Sequence, residues 1–413
     1  MVLYVAPKAV VPAAASRGAE DTLRVAMLGT RGVPAAYGGF ETAVEEVGSR
    51  LAARGHEVTV YCRTTPGAER TATHLGMNLV HLPALRRKSL ETLSHTGLSA
   101  AHLLLGRSHD AAIVFNAGNA PFLPVLRSRG IPVATHVDGL EWQRAKWEGI
   151  GRHYYRWAES MAVRWSDALI ADAEGIADYY RTEFQAHTEL IAYGAPVLRT
   201  RRARELAKMG ITVGEYHLVV ARFEPENHVH LILEGYRRSS ARHPLVIVGS
   251  APYSHGYTEH VRALAEADPR VQLLGPVWDQ HLLDDLYAGA ATYVHGHSVG
   301  GTNPSLLRAM GAGTAVLAYD VPFNREVAGG QGRYFGDAAE LAALLERAEA
   351  HPHERDQRSV QLRERARSEY RWDDVADRYE DLCRRLSAGA SSARGSGRRT
   401  HEASAFVRQS AWR

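Results

Sequence analysis

The sequence predicts an α/β protein built from two Rossmann-like, doubly wound domains. A chain of 413 residues is too long for one ordinary hydrophobic core, so two domains of similar size are expected. Short apolar runs alternate with segments of helical periodicity along most of the chain, as in parallel sheets covered by helices on both faces. Glycine-rich loops follow several of these runs, where parallel sheets hold their ligands. We therefore expect the two domains to face a ligand-binding cleft.

The first domain is predicted over residues 23–195, after an extension of residues 1–22 that we expect to be disordered. It opens with a strand over Leu23–Leu28, a glycine-rich loop and a helix over Glu41–Ala53, which Gly55 is placed to end. The next strands and a long helix are predicted at Val58–Tyr61, Ala111–Phe115, Val133–His136, Tyr154–Trp165 (helix), Ala168–Ala171 and Glu189–Ala192. Turn-rich residues 193–196 form the joint to the next domain.

The second domain is predicted over residues 196–370 as another parallel sheet. Its strands are expected at Tyr216–Val220, Leu245–Gly249, Val271–Gly275, Thr292–His295 and Ala315–Tyr319. Residues 355–386 have a helical pattern, so a C-terminal helix is expected over 371–386. The remaining residues, 387–413, are rich in Ser, Gly and Arg and predict a disordered tail.

Composition excludes several classes of protein. The net charge of +3 is too small for a dedicated nucleic-acid binder. The two cysteines, Cys62 and Cys383, lie too far apart in sequence for a disulfide framework or a cysteine zinc site, and they fit a cytoplasmic protein. No apolar run approaches the ~20 residues that a membrane-spanning helix needs. Any membrane contact is therefore expected to be peripheral.

Residues 292–320 predict the main ligand-binding segment. An apolar run ends at His295, a Gly- and Ser-rich loop follows, and Asn303 with Pro304 fits the first turn of a helix. Helix N-termini at strand ends direct free N–H groups at anions, so residues 298–305 are expected to line a phosphate-holding cleft. His295 and His297 alternate along the strand end, but no third ligand accompanies them, and no metal is predicted.

Three other segments are candidates for the same cleft, and each has a structural alternative. The loop over residues 29–40 is rich in glycine and carries Arg31, which could reach a phosphate, although a tight turn would explain several of its glycines. Residues 136–147 place carboxylates among tryptophans, which suits a sugar site or equally a salt-bridged helix with buried indoles. Arg222 follows a strand and could stabilise a departing diphosphate, unless it pairs with Glu224 or Glu226.

A basic cluster precedes an amphipathic helix pattern in the first domain. Arg86, Arg87 and Lys88 could attract an anionic membrane, at about 1 kcal/mol for each basic side chain. The alternative is a solvated helix start with a buried apolar face.

Five motifs in order along the chain resemble a bacterial branch of family 4 glycosyltransferases that is often described as rhamnosyltransferases of cell-surface polysaccharides. These are GTRGVPAAYGGFET from Gly29, VDGLEWQRAKW from Val137, RFEPEN from Arg222, HGHSVGGTNPSLL from His295 and YDVPFNRE from Tyr319. The resemblance runs from about residue 24 to about residue 370. It implies a GT-B fold and a retaining hexosyltransferase that needs no metal or other cofactor. The donor would be a sugar nucleotide held by the second domain, and the acceptor a glycan or lipid-linked molecule on the first.

The resemblance also implies roles for individual residues. Asp138, Glu141 and Arg222 would act at the reacting centre. The expected donor-binding residues are Gly38, Gly39, Arg222, Glu224, Gly301, Thr302, Asn303, Ser305 and Arg308. The expected acceptor-binding residues are Arg31, Tyr37, Trp142 and Arg144.

The sequence departs from the family at one important position. Family 4 enzymes carry two glutamates spaced E-x7-E; this branch resembles them at the second, and here the two positions hold Gly300 and Arg308. The glutamate would accept ribose hydroxyls, and arginine cannot accept a hydrogen bond. Each charged hydrogen bond lost is worth about 1.5–3 kcal/mol. Arg308 therefore either abolishes ordinary donor binding or recruits a different anionic group.

Two other classes of function compete with a glycosyltransferase. A non-catalytic family member that regulates or scaffolds partner transferases is compatible with Arg308. A sugar-nucleotide oxidoreductase or epimerase is disfavoured, because the chain lacks a GxGxxG loop with an acidic residue about 20 positions later.

Overall fold

The computed structural model describes residues 22–391, except 36–37, 65–66, 68–69, 86–89, 138, 145–148, 199–202 and 251–254. The predicted terminal extension and tail lie outside this range, apart from Thr22 and residues 387–391. The predicted site residues Tyr37 and Asp138 and the basic cluster of residues 86–88 also lie outside it.

The first domain contains strands β1–β8 and helices α1–α5. The strands are β1 Arg24–Leu28, β2 Glu57–Arg63, β3 Thr73–His74, β4 Met77–Leu82, β5 Ala111–Phe115, β6 Val133–His136, β7 Ala168–Ala171 and β8 Glu189–Leu190. The helices are α1 Gly39–Ala53, α2 Glu91–Leu105, α3 Leu123–Ser128, α4 Ile150–Trp165 and α5 Glu174–Phe184. Short 3-10 helices cover Ala117–Phe122 and Glu141–Gln143.

The second domain contains strands β9–β14 and helices α6–α13, and the chain ends with α14. The strands are β9 His217–Val220, β10 Leu245–Val248, β11 Val271–Gly275, β12 Thr292–His295, β13 Ala315–Tyr319 and β14 Arg333–Phe335. The helices are α6 Ala203–Lys208, α7 Val229–Arg238, α8 His255–Glu266, α9 Gln280–Gly289, α10 Pro304–Ala312, α11 Pro322–Ala328, α12 Ala338–Ala350, α13 Pro352–Glu369 and α14 Trp372–Ser387. Pro225–Asn227 and Gly329–Gln331 are 3-10 helices.

The two sheets have doubly wound strand orders, which confirms the predicted fold class. In the described chain the orders are β3-β4-β2-β1-β5-β6-β7-β8 and β11-β10-β9-β12-β13-β14. Neighbouring strands are parallel except β3 and β4. The order reverses between β1 and β5 in one sheet and between β9 and β12 in the other. Open α/β sheets bind ligands outside the strand ends at such reversals.

The predicted strand bounds are correct where the apolar run is buried on both faces. β5, β6, β7, β12 and β13 begin and end where the sequence predicts, because nearly the whole of each central run is buried under helices. β11 also has its predicted bounds, although its residues are half-buried. The hairpin of β3 and β4 was not predicted. Its turn is Leu75-Gly76, with φ of 47° and 82°, and it lacks the Asn-Gly or Asp-Gly pair that usually signals such a turn.

The helix predicted over residues 355–386 is interrupted, which corrects the sequence interpretation. α13 ends at Glu369 and α14 begins at Trp372, because the chain leaves the second domain here and returns to the first. α14 packs on α1, where Arg54 pairs with Glu380 at 2.9 Å and Arg50 with Asp373 at 2.8 Å. Trp372 also lies against Gly194, where any Cβ would overlap the indole. This contact fixes the joint between the domains.

One hydrophobic core cluster continues from the first domain through the joint into the second, and two further clusters line the other faces of the sheets. None of the helices in the described residues is long and apolar enough to span a membrane.

Candidate active site

The loops at the two strand-order reversals face each other across the domain boundary. Gly39, the first residue of α1, lies against Pro304 at the start of α10: a Cβ on Gly39 would be 3.0 Å from Cγ of Pro304. Gly300 lies similarly close to Gly139 of the first domain. The N-termini of two helices, one from each domain, therefore border one crevice, and both present unpaired backbone N–H groups.

The α10 terminus has the capping arrangement that the sequence predicts. The Asn303 side-chain oxygen accepts hydrogen bonds from the Ser305 backbone N–H at 3.0 Å and from the Ser305 hydroxyl at 2.7 Å. The Tyr293 hydroxyl donates to Ser305 Oγ at 2.8 Å, which ties the cap to β12. Pro304 occupies the first helical position. Asn303 and Ser305 are thus brought to the crevice, although their own side chains are engaged in the cap.

Arg222 and His297 come together at the reversal between β9 and β12. Burial is the main cause that lowers the pKa of His297 well below its ordinary value, and the nearby His295, Arg222, Arg144 and His228 lower it further. His297 is therefore a neutral imidazole between guanidinium groups from both domains. It stacks on His295 with ring centroids 4.5 Å apart.

Two polar groups of this cluster lack partners within the described residues. The Arg222 guanidinium forms no hydrogen bond or ion pair there, including with Glu224 or Glu226. Nδ1 of His297 is buried without a hydrogen-bond partner. Buried or half-buried polar groups are normally satisfied, so a pair of unsatisfied groups at a crevice indicates a place for a ligand. The cationic surroundings favour an anion.

The loop before α10 contacts the first domain at the end of β7. The Thr302 hydroxyl donates to the backbone oxygen of Asp172, and any Cβ on Gly301 would overlap the Asp172 carboxylate. Gly301 and Thr302 therefore form a contact between the two domains. A donor that they bind, as predicted, would lie at the edge of that contact. Glycine is required at position 301 by this close approach.

The glycine turn before α1 already holds a carboxylate. Glu41 Oε1 accepts a hydrogen bond from the Arg31 backbone N–H at 3.0 Å, and the same carboxylate lies over Gly38, which has a φ of 114°. Glu41 was not predicted as a site residue from the sequence. An acidic residue in the first turn of a helix after a glycine loop was its available signal. The Arg31 side chain is exposed beside this turn.

The predicted acceptor segment has its charges and rings partly engaged. Glu141 Oε1 pairs with Arg144 Nε at 2.7 Å. The guanidinium groups of Arg152 and Arg156 lie 5.0 and 5.2 Å from the centroid of the Trp142 ring. The segment therefore has features of both predicted alternatives, a structural helix and a ligand site. Trp142 has the packed surroundings of a structural residue, while Arg144 lies near His297 of the candidate site.

Arg308 is neutralised by an acidic residue that the sequence analysis did not identify. It forms an ion pair with Asp284 of α9, and the Gln280 amide donates to the same carboxylate at 3.1 Å. Ser305 and Arg308 are the half-exposed positions of α10 that follow its first residue, while Leu306, Leu307 and Ala309 between and beyond them are buried. Arg308 thus lies on the same face of α10 as Ser305, and Asp284 is the anion that pairs with it.

The structure adds three residues to the predicted site. His228 Nδ1 donates to the Gly296 oxygen at 2.8 Å, and its ring stacks on Tyr319 at 4.2 Å. The Asn324 amide donates to the backbone oxygens of His297 and Tyr319 at 2.9 and 2.8 Å. Tyr319 and Asn324 belong to the motif YDVPFNRE, but only the fold brings them to the β12 loop. Glu224 lies half-exposed beside this group, at the start of the 3-10 helix Pro225–Asn227. No cluster of three or more potential metal ligands occurs in the described residues.

Two family models match the chain, one in each domain. A model described as "Glycosyl transferase 4-like domain" matches residues 38–194, and one described as "Glycosyl transferases group 1" matches residues 214–350. A comparison with curated protein sequences found no match.

Solved structures share the two-domain architecture. Sucrose-phosphate synthase from Thermosynechococcus elongatus superposes with a TM-score of 0.76 at 21% identity, over 89% of this chain and 100% of that one. HepE from Anabaena, in complex with UDP-glucose, superposes with a TM-score of 0.72 at 13% identity, over 87% and 99%. The catalytic domain of starch synthase IV from Arabidopsis thaliana, bound to ADP and acarbose, gives 0.68 at 15%, over 89% and 100%. At these identities the likeness establishes the fold.

Proposed function

The chain is a glycosyltransferase of the GT-B type, and from this premise we propose that it is a retaining enzyme of polysaccharide biosynthesis. It moves a sugar from a nucleoside diphosphate donor to a glycan or lipid-linked acceptor, without a metal cofactor. Rhamnose is the first sugar to test, because the motifs resemble the branch described by that activity. UDP-glucose, which HepE binds, is the second.

The unsatisfied pair of Arg222 and His297 carries this proposal. When the bond to the transferred sugar breaks, negative charge develops on the leaving diphosphate. Fixed cations and hydrogen-bond donors at that position lower the barrier. Arg222 supplies the charge from the second domain, and Arg144 adds charge from the first. The α10 N-terminus contributes backbone N–H groups to the same crevice.

His297 has a separate role in this arrangement. Its lowered pKa keeps it neutral at pH 7 in the absence of donor, so it does not repel Arg222. A bound diphosphate reverses that balance, because a nearby anion favours the protonated imidazole. Donor binding is then accompanied by proton uptake, which stabilises the extra negative charge.

The acceptor side is proposed to contact a membrane surface. On α2 the exposed Leu98 and Leu105 are seven positions apart and share one face, 44% and 89% exposed, while Thr96, Ala100 and Leu103 are buried on the other side. The basic residues 86–88 directly precede this helix in sequence. Exposed leucines on a helix that basic residues precede in sequence fit an anionic phospholipid surface, from which a lipid-linked acceptor would be reached. We place the reaction at the cytoplasmic face of the membrane.

Donor binding is tested by calorimetric titration with uridine, thymidine and guanosine diphosphosugars. Arg222→Gln should weaken binding at least tenfold, because a charge-assisted contact to the diphosphate is lost. Arg181→Gln is the control, since Arg181 is exposed and pairs only with Asp178 in the described residues. Native-like affinity in Arg222→Gln would show that the diphosphate does not bind at this cluster. The product anomer, followed by NMR, tests retention.

Membrane contact is tested by sedimentation with vesicles that contain phosphatidylglycerol. Leu98→Gln with Leu105→Gln should reduce the bound fraction, whereas Leu75→Gln should not, because Leu75 is exposed in the β3–β4 turn. Equal sedimentation of both variants would refute the α2 surface.

The two family models support a transferase, and no finding supports the alternative of a non-catalytic scaffold protein.

A further inference from the structure

A second polar pocket lies at the opposite edge of the second sheet from the candidate active site. It is bordered by the first residues of three strands, Thr292, Ala315 and Arg333, and by the junction between α12 and α13. Parallel strands begin at one edge and end at the other. Along β13 the two edges are roughly 13 Å apart, at about 3.3 Å for each residue. The pocket is therefore separate from the crevice that holds Arg222.

The pocket contains more cationic groups than anionic ones. Arg333, Arg347, Arg355 and Arg358 line it together with His351, and Glu354 is the carboxylate among its described lining residues. Arg355 is paired with Asp356 at 2.9 Å, so the other three guanidinium groups against Glu354 leave a formal charge of about +2. This excess attracts an anion.

One carboxylate is shared by three of the arginines. Glu354 lies 2.5 Å from Arg333, 3.0 Å from Arg347 and 3.3 Å from Arg358. Hydrogen bonds from Arg347 and Arg333, with a smaller one from Arg358, lower the pKa of Glu354 to about 2. Each guanidinium has five N–H donors, so one carboxylate cannot satisfy three of them. Arg358 also donates to the backbone oxygens of Gly330 and Gln331, so the donors that remain for a second planar or tetrahedral anion are mainly those of Arg347 and Arg333.

The start of α13 points into the same pocket. His351 is the N-terminal cap of this 18-residue helix and makes no capping hydrogen bond with its side chain. Glu354 lies in the first turn. Pro352 has no N–H and the Arg355 N–H donates to the His351 oxygen at 3.1 Å, so the N–H groups of His353 and Glu354 are the ones that favour an anion at this helix start.

The floor of the pocket is apolar. Ala315, Val316, Leu344 and Ala348 form it, and the pocket encloses about 390 Å³ of atom-free space, counted out to its open mouth. A free inorganic ion would leave the floor unused, whereas an ester with an apolar or aromatic body would cover it.

From the arginine cluster, the helix start and the apolar floor, we propose that this pocket binds a phosphate monoester with an apolar or aromatic ester group. The phosphate lies against Arg347, Arg333 and Arg358, and the organic part lies on Leu344 and Ala348. Because the pocket is remote from the crevice, this ligand is neither the donor nor the acceptor.

Calorimetry with phenyl phosphate tests the pocket on the full chain. Arg347→Gln should weaken binding about tenfold, since a charge-assisted contact is removed. Glu354→Gln should strengthen it, because the competing carboxylate loses its charge and keeps its shape. Arg181→Gln and Arg222→Gln should leave binding unchanged, which separates this pocket from the crevice. Phenyl phosphate should bind more tightly than glycerol phosphate or inorganic phosphate.

Opposite effects of the two pocket variants are the decisive result. If phenyl phosphate does not bind at millimolar concentration, or if Arg347→Gln and Glu354→Gln both leave its affinity unchanged, the proposal is wrong. Thermal melting without ligand shows whether either variant has lost its fold. Vesicles that contain phosphatidate distinguish the source: binding to them in addition to phenyl phosphate assigns a lipid headgroup, and binding to soluble esters alone assigns a metabolite.

Discussion

Reversing the charge at Arg308 is the most direct test of how this chain departs from its family. In Arg308→Glu, a second carboxylate would face Asp284 where an ion pair stands now. The side chains of Arg308 and Asp284 are 20% and 25% exposed, so the pair lies between a surface pair and a buried one. Surface pairs contribute about 0–1 kcal/mol, and breaking a buried pair costs about 3–5 kcal/mol. We expect Arg308→Glu to lose roughly 1–3 kcal/mol of unfolding free energy.

The charge-swapped variant Arg308→Glu with Asp284→Arg isolates this effect. It should recover most of the lost stability in urea denaturation, because opposite charges face each other again. Arg181→Glu, at a pair whose side chains are 72% and 54% exposed, should cost less than about 1 kcal/mol. The swap also places a glutamate where the family accepts ribose hydroxyls, so donor affinity should rise about tenfold or more. Unchanged stability in Arg308→Glu, or no recovery in the swap, would refute the importance of the pair.

Three further predictions concern the crevice and the core. Arg222→Gln should lower the transfer rate about 100-fold or more, as measured by donor turnover with acceptor present, and a smaller loss would assign the diphosphate to other groups. Gly301→Ala should reduce transfer because its Cβ meets the Asp172 carboxylate, whereas Gly256→Ala, with open space around it, should keep the native rate. Burial lowers the pKa of His136 to about 3, so the unfolded chain binds a proton that the folded chain excludes, and stability is lost as pH falls from about 6.5 towards 3. Between pH 7 and pH 5 this histidine should account for roughly 2 kcal/mol, seen as a weaker pH dependence of unfolding in His136→Phe, and parallel profiles for the two proteins would contradict it.

The crevice shows why some site residues could be predicted and others could not. Asn303, Pro304 and Ser305 form a cap within three consecutive residues, so the sequence alone identifies them. Arg222 was predicted because it directly follows an apolar run. Asp284 was not, since its partner Arg308 lies 24 positions away on another helix. The sequence shows an arginine at position 308, where the family that it resembles carries a glutamate. Only the packing of α9 on α10 shows that Asp284 lies beside it.

The sequence by itself determined the alternation of strands and helices, the bounds of the central strands and the helix start at residue 304. These features depend on neighbouring residues, because burial on both faces and helix capping each leave a local pattern. Tertiary structure decided the strand order, and with it the meeting of Arg222, Arg144 and His297, which come from two domains. It also returned α14 to the first domain. Such contacts join residues far apart in the chain, and their free energy depends on how whole helices and strands pack. The local periodicity of apolar residues contains no information about that packing.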